Sequence, residues 1–169
     1  MRDVTLPIEA RTLAADFESF FRAEYRSLCQ ALVLLVGDAL EAEDIAQETM
    51  TRVLERWDRV GVMESPAGYA YRTALNLQRK RIRRLAVRRK RRFASVPVPD
   101  IATAASDQHD VRRALHQLPD GMRAALILVD WLDMDTEEAG RVLEIKPASV
   151  RVRLHRARSA LRDALGETS

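Results

Sequence analysis

Ten of the fourteen residues from Arg79 to Arg92 are lysine or arginine, a density of charge whose chemistry is phosphate binding. Cations spaced this closely hold a polyanion by displacing its condensed counterions, so the attraction falls steeply with salt and carries no sequence information of its own. A second basic run lies near the end of the chain, where Lys146 to Arg162 holds six lysines and arginines and no acidic residue. There the charges are interleaved with Val150, Leu154, Ala157 and Leu161, at steps of four, three and four that bury one face of a helix. Arg151, Val152, His155 and Arg158 then face outward, and nothing within the helix neutralises them. Such a stripe suits a helix that lies in the groove of a duplex; on this stretch alone, a solvated amphipathic helix is the alternative.

No comparable constellation supports catalysis or metal binding. His109, His116 and His155 are scattered, none at metal-ligand spacing with cysteine or carboxylates, and no nucleophile motif or glycine-rich phosphate loop occurs. The expectation is a protein without catalytic residues, metal or cofactor. Cys29, the single cysteine, falls in an apolar helical pattern and reads as a structural thiol. The net charge of +3 hides a partition: residues 1–60 sum to −5, 61–92 to +10 and 93–169 to −2. In the first segment, Glu43-Asp44-Ile-Ala-Gln-Glu48 makes an acidic helix face that would repel DNA and suits a protein surface rich in arginine and lysine. By itself that face reads equally as solvated surface. Beside the two basic runs it points to at least two kinds of partner.

The elements that carry these residues follow from periodicity and punctuation. Asp16 can cap a helix with an apolar stripe at Phe17, Phe20, Phe21, Leu28, Leu32 and Leu35, ended by Gly37. A second helix from about Leu40 to Trp57 places Ala42, Ile45, Ala46, Thr49, Val53 and Trp57 on one side. Asp58 to Pro66 reads as a loop, and Ala67 to Arg92 as one long basic helix. Tyr69, Tyr71 and Asn76, near Trp57 and this loop, are the ingredients for holding unstacked bases, although core packing is the better reading for at least one tyrosine. Two prolines and small residues mark a flexible linker over 93–107. Beyond it, Val111, Leu115 and Leu118 mark a helix that Pro119 breaks, and Met122, Leu126 and Val129 mark another. Asp135 with Glu138 is a capping-box start, and Pro147 suits the first position of a following helix, so 135–162 reads as a helix-turn-helix. The expected architecture is all-α: two small helical domains, 1–92 and 108–169, joined by the linker. The longest apolar run, Ala31 to Val36, is far short of the roughly 18 residues that span a bilayer, and Met1-Arg-Asp-Val does not read as a signal peptide, so a cytoplasmic protein without membrane insertion is expected.

Four stretches in order resemble one family. Asp38-Ala-Leu-Glu-Ala-Glu-Asp-Ile-Ala-Gln-Glu-Thr, Pro66-Ala-Gly-Tyr-Ala-Tyr-Arg-Thr-Ala-Leu-Asn76, Ala114-Leu-His-Gln-Leu-Pro-Asp-Gly-Met-Arg123 and Val150-Arg-Val-Arg-Leu-His-Arg-Ala-Arg158 resemble regions 2 and 4 of the extracytoplasmic function (ECF) class of sigma factors, within the sigma-70 family. The wording around Trp57 and Tyr69 further resembles its actinobacterial SigE subgroup. The resemblance implies a factor that binds core RNA polymerase, directs promoter-specific initiation and helps open the duplex. It implies that Asp44, Gln47 and Glu48 bind the β′ clamp helices, with the second domain on the β flap. Asn76 and the preceding loop would read melted bases of the minus-ten element, and Arg79, Lys80, Arg83 and Arg84 would hold nearby phosphates. Arg151, Val152 and His155 would read the minus-thirty-five element, with Ser149, Arg153 and Arg156 on the backbone. An anti-sigma factor is a further partner the family suggests. From another class, a stand-alone helix-turn-helix regulator is the alternative. Three departures stand out. Lys80 replaces a frequent aspartate, and Val152 and His155 replace the usual long polar readers. Ala139-Gly140 replaces the usual Ile-Ala, which predicts a helix-turn-helix weakened by about 1 kcal/mol of helix propensity.

Overall fold

The computed structural model describes residues 8–91 and 106–166, and every regular element among them is helical. In chain order these are α1 (Ile8–Val36), α2 (Ala39–Leu54), α3 (Trp57–Val60), α4 (Pro66–Arg91), α5 (Ser106–Gln117), α6 (Asp120–Leu126), α7 (Thr136–Leu143) and α8 (Pro147–Leu165). A π-helical turn, Ile127–Trp131, prolongs α6.

Three boundaries differ from expectation. α2, expected to run to Trp57, ends at Leu54. α1 begins at Ile8 rather than at an Asp16 cap, because Ile8 to Ala15 contains no glycine or proline and is rich in good helix formers. The loop expected from Asp58 starts with a helical turn, α3, whose Trp57 and Val60 are buried. The linker expected over 93–107 lies outside the described residues except for Ser106 and Asp107, which open α5. The other ends follow the sequence signals. Gly37 takes φ +84 and its amide bonds the Val33 carbonyl at 2.9 Å, a left-handed cap that glycine adopts without strain. Asp38 caps α2 by accepting the Glu41 amide at 2.8 Å.

Packing of α1, α2 and α4 follows from small residues. Ala42, Ile45, Ala46 and Val53 have no exposed surface, so α2 lies close between Leu28, Ala31 and Leu32 of α1 and Tyr71, Ala74 and Leu75 of α4. At the other end Trp57 is clamped by Phe17, at 5.4 Å edge-on, and Phe20, at 5.0 Å. The same apolar cluster continues into the second half through Leu115, Ala125, Leu128 and Val150. The halves are packed together, with the end of α1 so close to α5 that a Cβ on Gly37 would fall 2.8 Å from His116 Cε1.

The helix-turn-helix is built from α7 and α8. Asp135 Oδ1 accepts the Glu138 amide at 2.7 Å, as their spacing predicts. The turn then depends on Gly140. Glu144 adopts a left-handed φ of 60°, its amide bonds the Gly140 carbonyl, and so does the Ile145 amide at 3.0 Å. A Cβ on residue 140 would stand 2.9 Å from the Ile145 carbonyl oxygen. The glycine expected to weaken this unit is therefore what lets the turn close against α7. Gly140→Ala should gain helix propensity yet lose about 1 to 3 kcal/mol net through displaced backbone, read as a lower thermal midpoint; an unchanged or higher midpoint would show the turn to be compliant.

Arg123, buried under α5, donates to Asp120 and, at 2.7 Å, to His116 Nδ1. A guanidinium cannot accept a hydrogen bond, so this geometry requires a neutral His116 with its proton on Nε2. One edge of the ring meets solvent, yet burial first and Arg123 second lower its pKa below the ordinary 6.5. A histidine whose folded pKa is depressed leaves stability untouched above the unfolded pKa and costs stability as pH falls below it, because only the unfolded chain takes up the proton easily. Urea midpoints should therefore drop between pH 7.5 and 5.5, and His116→Gln should make that drop shallower. Equal slopes for the two proteins would remove His116 from the account.

Candidate functional site

Burying the apolar stripes decides where each charged face points. On α2, with Ile45, Ala46 and Thr49 inside, Glu43, Asp44 and Gln47 are exposed and Glu48 is half-buried. Glu48 already holds two cations, Arg52 at 2.7 Å and Arg81 of α4 at 3.4 Å. Asp44 makes no ion pair among the described residues, so it is the carboxylate with most to offer a partner.

On α4, Asn76, Lys80, Arg83 and Arg84 are exposed and Arg79 is half-buried, opposite Ala74, Leu77 and Gln78. Their spacing of three and four residues makes them one face. Arg79 Nη1 donates to Asn76 Oδ1 at 3.4 Å, leaving the Asn76 amide nitrogen available. The side chains from Ala86 onward, including the Arg88 to Arg92 run, lie outside the described residues, as does that of His109. The N-terminal end of α4 is fixed by Ser65, whose Oγ accepts the Gly68 amide at 3.0 Å. Between the Trp57 anchor and this cap the loop projects Val62, 84% exposed, and Met63, 42% exposed.

Of the aromatic residues near this loop, Trp57 and Tyr71 are core. Burial, then the charges of Glu24 and Cys29, raises the Tyr71 phenol pKa well above the ordinary tyrosine value. Tyr69 is the half-exposed one: its hydroxyl accepts from Arg56 Nη1 at 3.0 Å, and the Arg72 guanidinium stands 5.7 Å from its ring centre. Arg56 and Arg72 were not singled out by the sequence. Arg56 lies thirteen residues from Tyr69, beyond the reach of any helical periodicity.

On α8, Val150, Leu154 and Ala157 are buried, while Ser149, Arg151, Val152, His155 and Arg156 are exposed. Arg153 is half-buried, its guanidinium lying over Gly121 of α6 on a different side from Arg151. Nothing within the stretch from Lys146 to Arg162 neutralises its charge, but residues of neighbouring elements do so in part. Arg158 grips Asp130 of the π-helical turn with two bonds, 3.0 and 2.5 Å, and Arg151 lies 3.4 Å from Thr136 Oγ1 and 3.9 Å from Glu137. Beside these residues runs an open groove lined by Leu126, Val129, Leu154, Leu161 and Leu165. Among the described residues no cluster of histidine, cysteine and carboxylates could hold a metal ion, and no helix is long and apolar enough to cross a membrane.

Known proteins share this arrangement. Residues 20–89 match the model of sigma-70 region 2, and residues 108–161 match that of sigma-70 region 4. The RNA polymerase sigma-E factor of Streptomyces coelicolor is 26% identical over 152 residues, covering 89% of this chain and 86% of that protein. The ECF RNA polymerase sigma factor SigL of Mycobacterium tuberculosis is 31% identical over 146 residues, covering 79% of each. Among solved structures, the sigma factor RpoE in complex with the anti-sigma factor NepR from Bartonella quintana superposes with a TM-score of 0.79 at 20% identity, over 89% of this chain and 97% of that one. That likeness establishes the fold, and the sequence matches establish the lineage: the chain belongs to the sigma-70 family as an RNA polymerase sigma factor of the ECF class.

Proposed function

We propose that the three charged faces divide the work of initiation, with α2 engaging core polymerase, α4 the minus-ten element and α8 the minus-thirty-five element. The observation that carries this reading is the segregation of charge onto separate exposed faces, acidic on α2 and cationic on α4 and α8. Asp44 and Gln47, with Glu48 behind them, meet the β′ clamp helices, a partner that must present arginine or lysine to so acidic a surface. The second half docks on the β flap by a surface other than the groove between α6 and α8, because Arg151 and His155 line that groove. Asn76, on the same helix that the Val62–Met63 loop leads into, reads unstacked bases, and Arg79, Lys80, Arg83 and Arg84 neutralise the phosphates beside them. The Arg56–Tyr69–Arg72 group adds a flat, cationic surface against which a base can stack.

On α8, Arg151 is the residue able to make a bidentate contact to guanine. Thr136 and Glu137 limit the directions its guanidinium takes. Val152 offers apolar contact and His155 a single hydrogen bond, while Ser149, Arg156 and, after swinging off Gly121, Arg153 reach the backbone. The protein acts in the cytoplasm, where an anti-sigma factor, such as the one bound to the B. quintana protein, is a candidate partner.

Asp44→Arg should weaken binding to core polymerase at least about tenfold through like-charge juxtaposition, with unchanged helix content by circular dichroism. Wild-type affinity would reduce the α2 face to solvated surface. Arg151→Ala should lower selectivity for the minus-thirty-five duplex over an unrelated one by about 1 to 3 kcal/mol. Equal losses on both duplexes would assign Arg151 to phosphate.

A further inference from the structure

On α8 one branched aliphatic side chain has no place in the core. Val150 and Leu154 are buried, and Val152 stands two residues, about 200°, from each, so it points away from the rest of the fold and is 50% exposed. The residues on either side do not cover it. Arg151 is drawn toward α7, where its Nη1 donates to Thr136 Oγ1 at 3.4 Å, and Arg153 folds back over α6, where a Cβ on Gly121 would fall 2.8 Å from its Nη1. Ser149, one turn before Val152, is exposed and also short. The line from Ser149 to Val152 is therefore a low strip between two divergent arginines, and a duplex can approach the helix most closely along it.

Valine brings no donor or acceptor to that approach. The edges of the base pairs in the major groove carry ring nitrogens, carbonyls, amino groups and one apolar group, the C5-methyl of thymine. Against any of the polar groups Val152 would displace water and return no hydrogen bond, which leaves the base unsatisfied. Against the methyl it buries apolar surface on both sides. Branching at Cβ holds a helical valine mainly to one rotamer, so its methyls are already set and little freedom is lost in making the contact. The base in question lies near the one that Arg151 takes, because neighbouring Cα atoms are about 3.8 Å apart and successive base pairs about 3.4 Å.

We propose that Val152 sets a thymine requirement in the minus-thirty-five element, on either strand and within about two base pairs of the guanine taken by Arg151, and that the group it recognises is the 5-methyl itself. The proposal rests on the sigma reading above and adds to it the identity of a base. It has a chemical corollary. A 5-methylcytosine presents the same methyl, so cytosine methylation at this position strengthens binding, whereas uracil, with the hydrogen-bonding groups of thymine but no methyl, weakens it.

The test uses the full chain bound to core RNA polymerase and a pool of promoter duplexes randomised over the upstream element. The selected element should hold a guanine whose preference disappears with Arg151→Ala and, within about two base pairs, a thymine whose preference disappears with Val152→Ser. On synthetic duplexes of the selected sequence, uracil in place of that thymine should lower affinity about fourfold, the worth of one buried methyl, and 5-methylcytosine should bind about fourfold better than cytosine at the same position. With Val152→Ser both differences should vanish. Serine and valine have similar helix propensity and the position is exposed, so the variant keeps its fold, which circular dichroism checks. A selected element with no thymine there, equal binding of thymine and uracil duplexes by the wild-type chain, or a methyl preference that survives Val152→Ser overturns the inference and leaves the sigma reading intact. Selection of no duplex at all overturns both.

Discussion

Burial of one apolar stripe per helix is the constraint from which the functional surfaces derive. A helix turns about 100° per residue, so once Ile45, Ala46 and Thr49 are inside, Asp44 and Gln47 have no choice but to face out. The same logic on α8 makes Val150, Leu154 and Ala157 the determinants of where Arg151 and His155 point. Because the inward residues of α2 include alanines and a threonine, the helix axes approach closely without opposite charges having to meet. Among the described ion pairs, Glu48–Arg81 is the one that joins α2 to α4. Acidic and basic faces can then coexist in one small chain as separate surfaces.

This local determinism explains what the sequence reveals. The inward sets of α2 and α8, the Asp38 and Asp135 caps and the Gly37 terminus depend on residues no more than four apart, and each can be read from spacing. What escapes depends on remote partners. Gly140 looks like a defect by propensity because its meaning lies in the Ile145 carbonyl beyond the turn. Tyr71 and Tyr69 look equivalent as a pair of aromatics, and only the approach of α1 and α2 makes one core and leaves the other half-exposed under Arg56 and Arg72. Asp130 is twenty-eight residues from Arg158, and the Ser65–Glu138 bond crosses seventy-three. No periodicity reports either.

The remote pairs also distinguish the two basic helices. Exposed ion pairs contribute little to stability, but they change what a helix offers a polyanion. With Asp130 gripping Arg158 and Glu137 beside Arg151, α8 presents less unpaired charge than its five arginines imply. Lys80, Arg83 and Arg84 of α4 make no salt bridge among the described residues. Phosphate attraction is indifferent to sequence, so subtracting it from α8 lowers the binding of every duplex alike and leaves base contacts a larger share of what remains. α4 meets the opposite requirement. Melted strands offer flexible phosphates and exposed bases, and in the proposed function a cation track beside Asn76 and Tyr69 would secure them without demanding a particular register. Under the proposed roles, selectivity would depend on α8 being partly neutralised, and strand capture on Lys80, Arg83 and Arg84 of α4 being left bare. If α8 reads DNA as proposed, the acidic residues of α7 and the π-helical turn shape its recognition surface through the cations they hold.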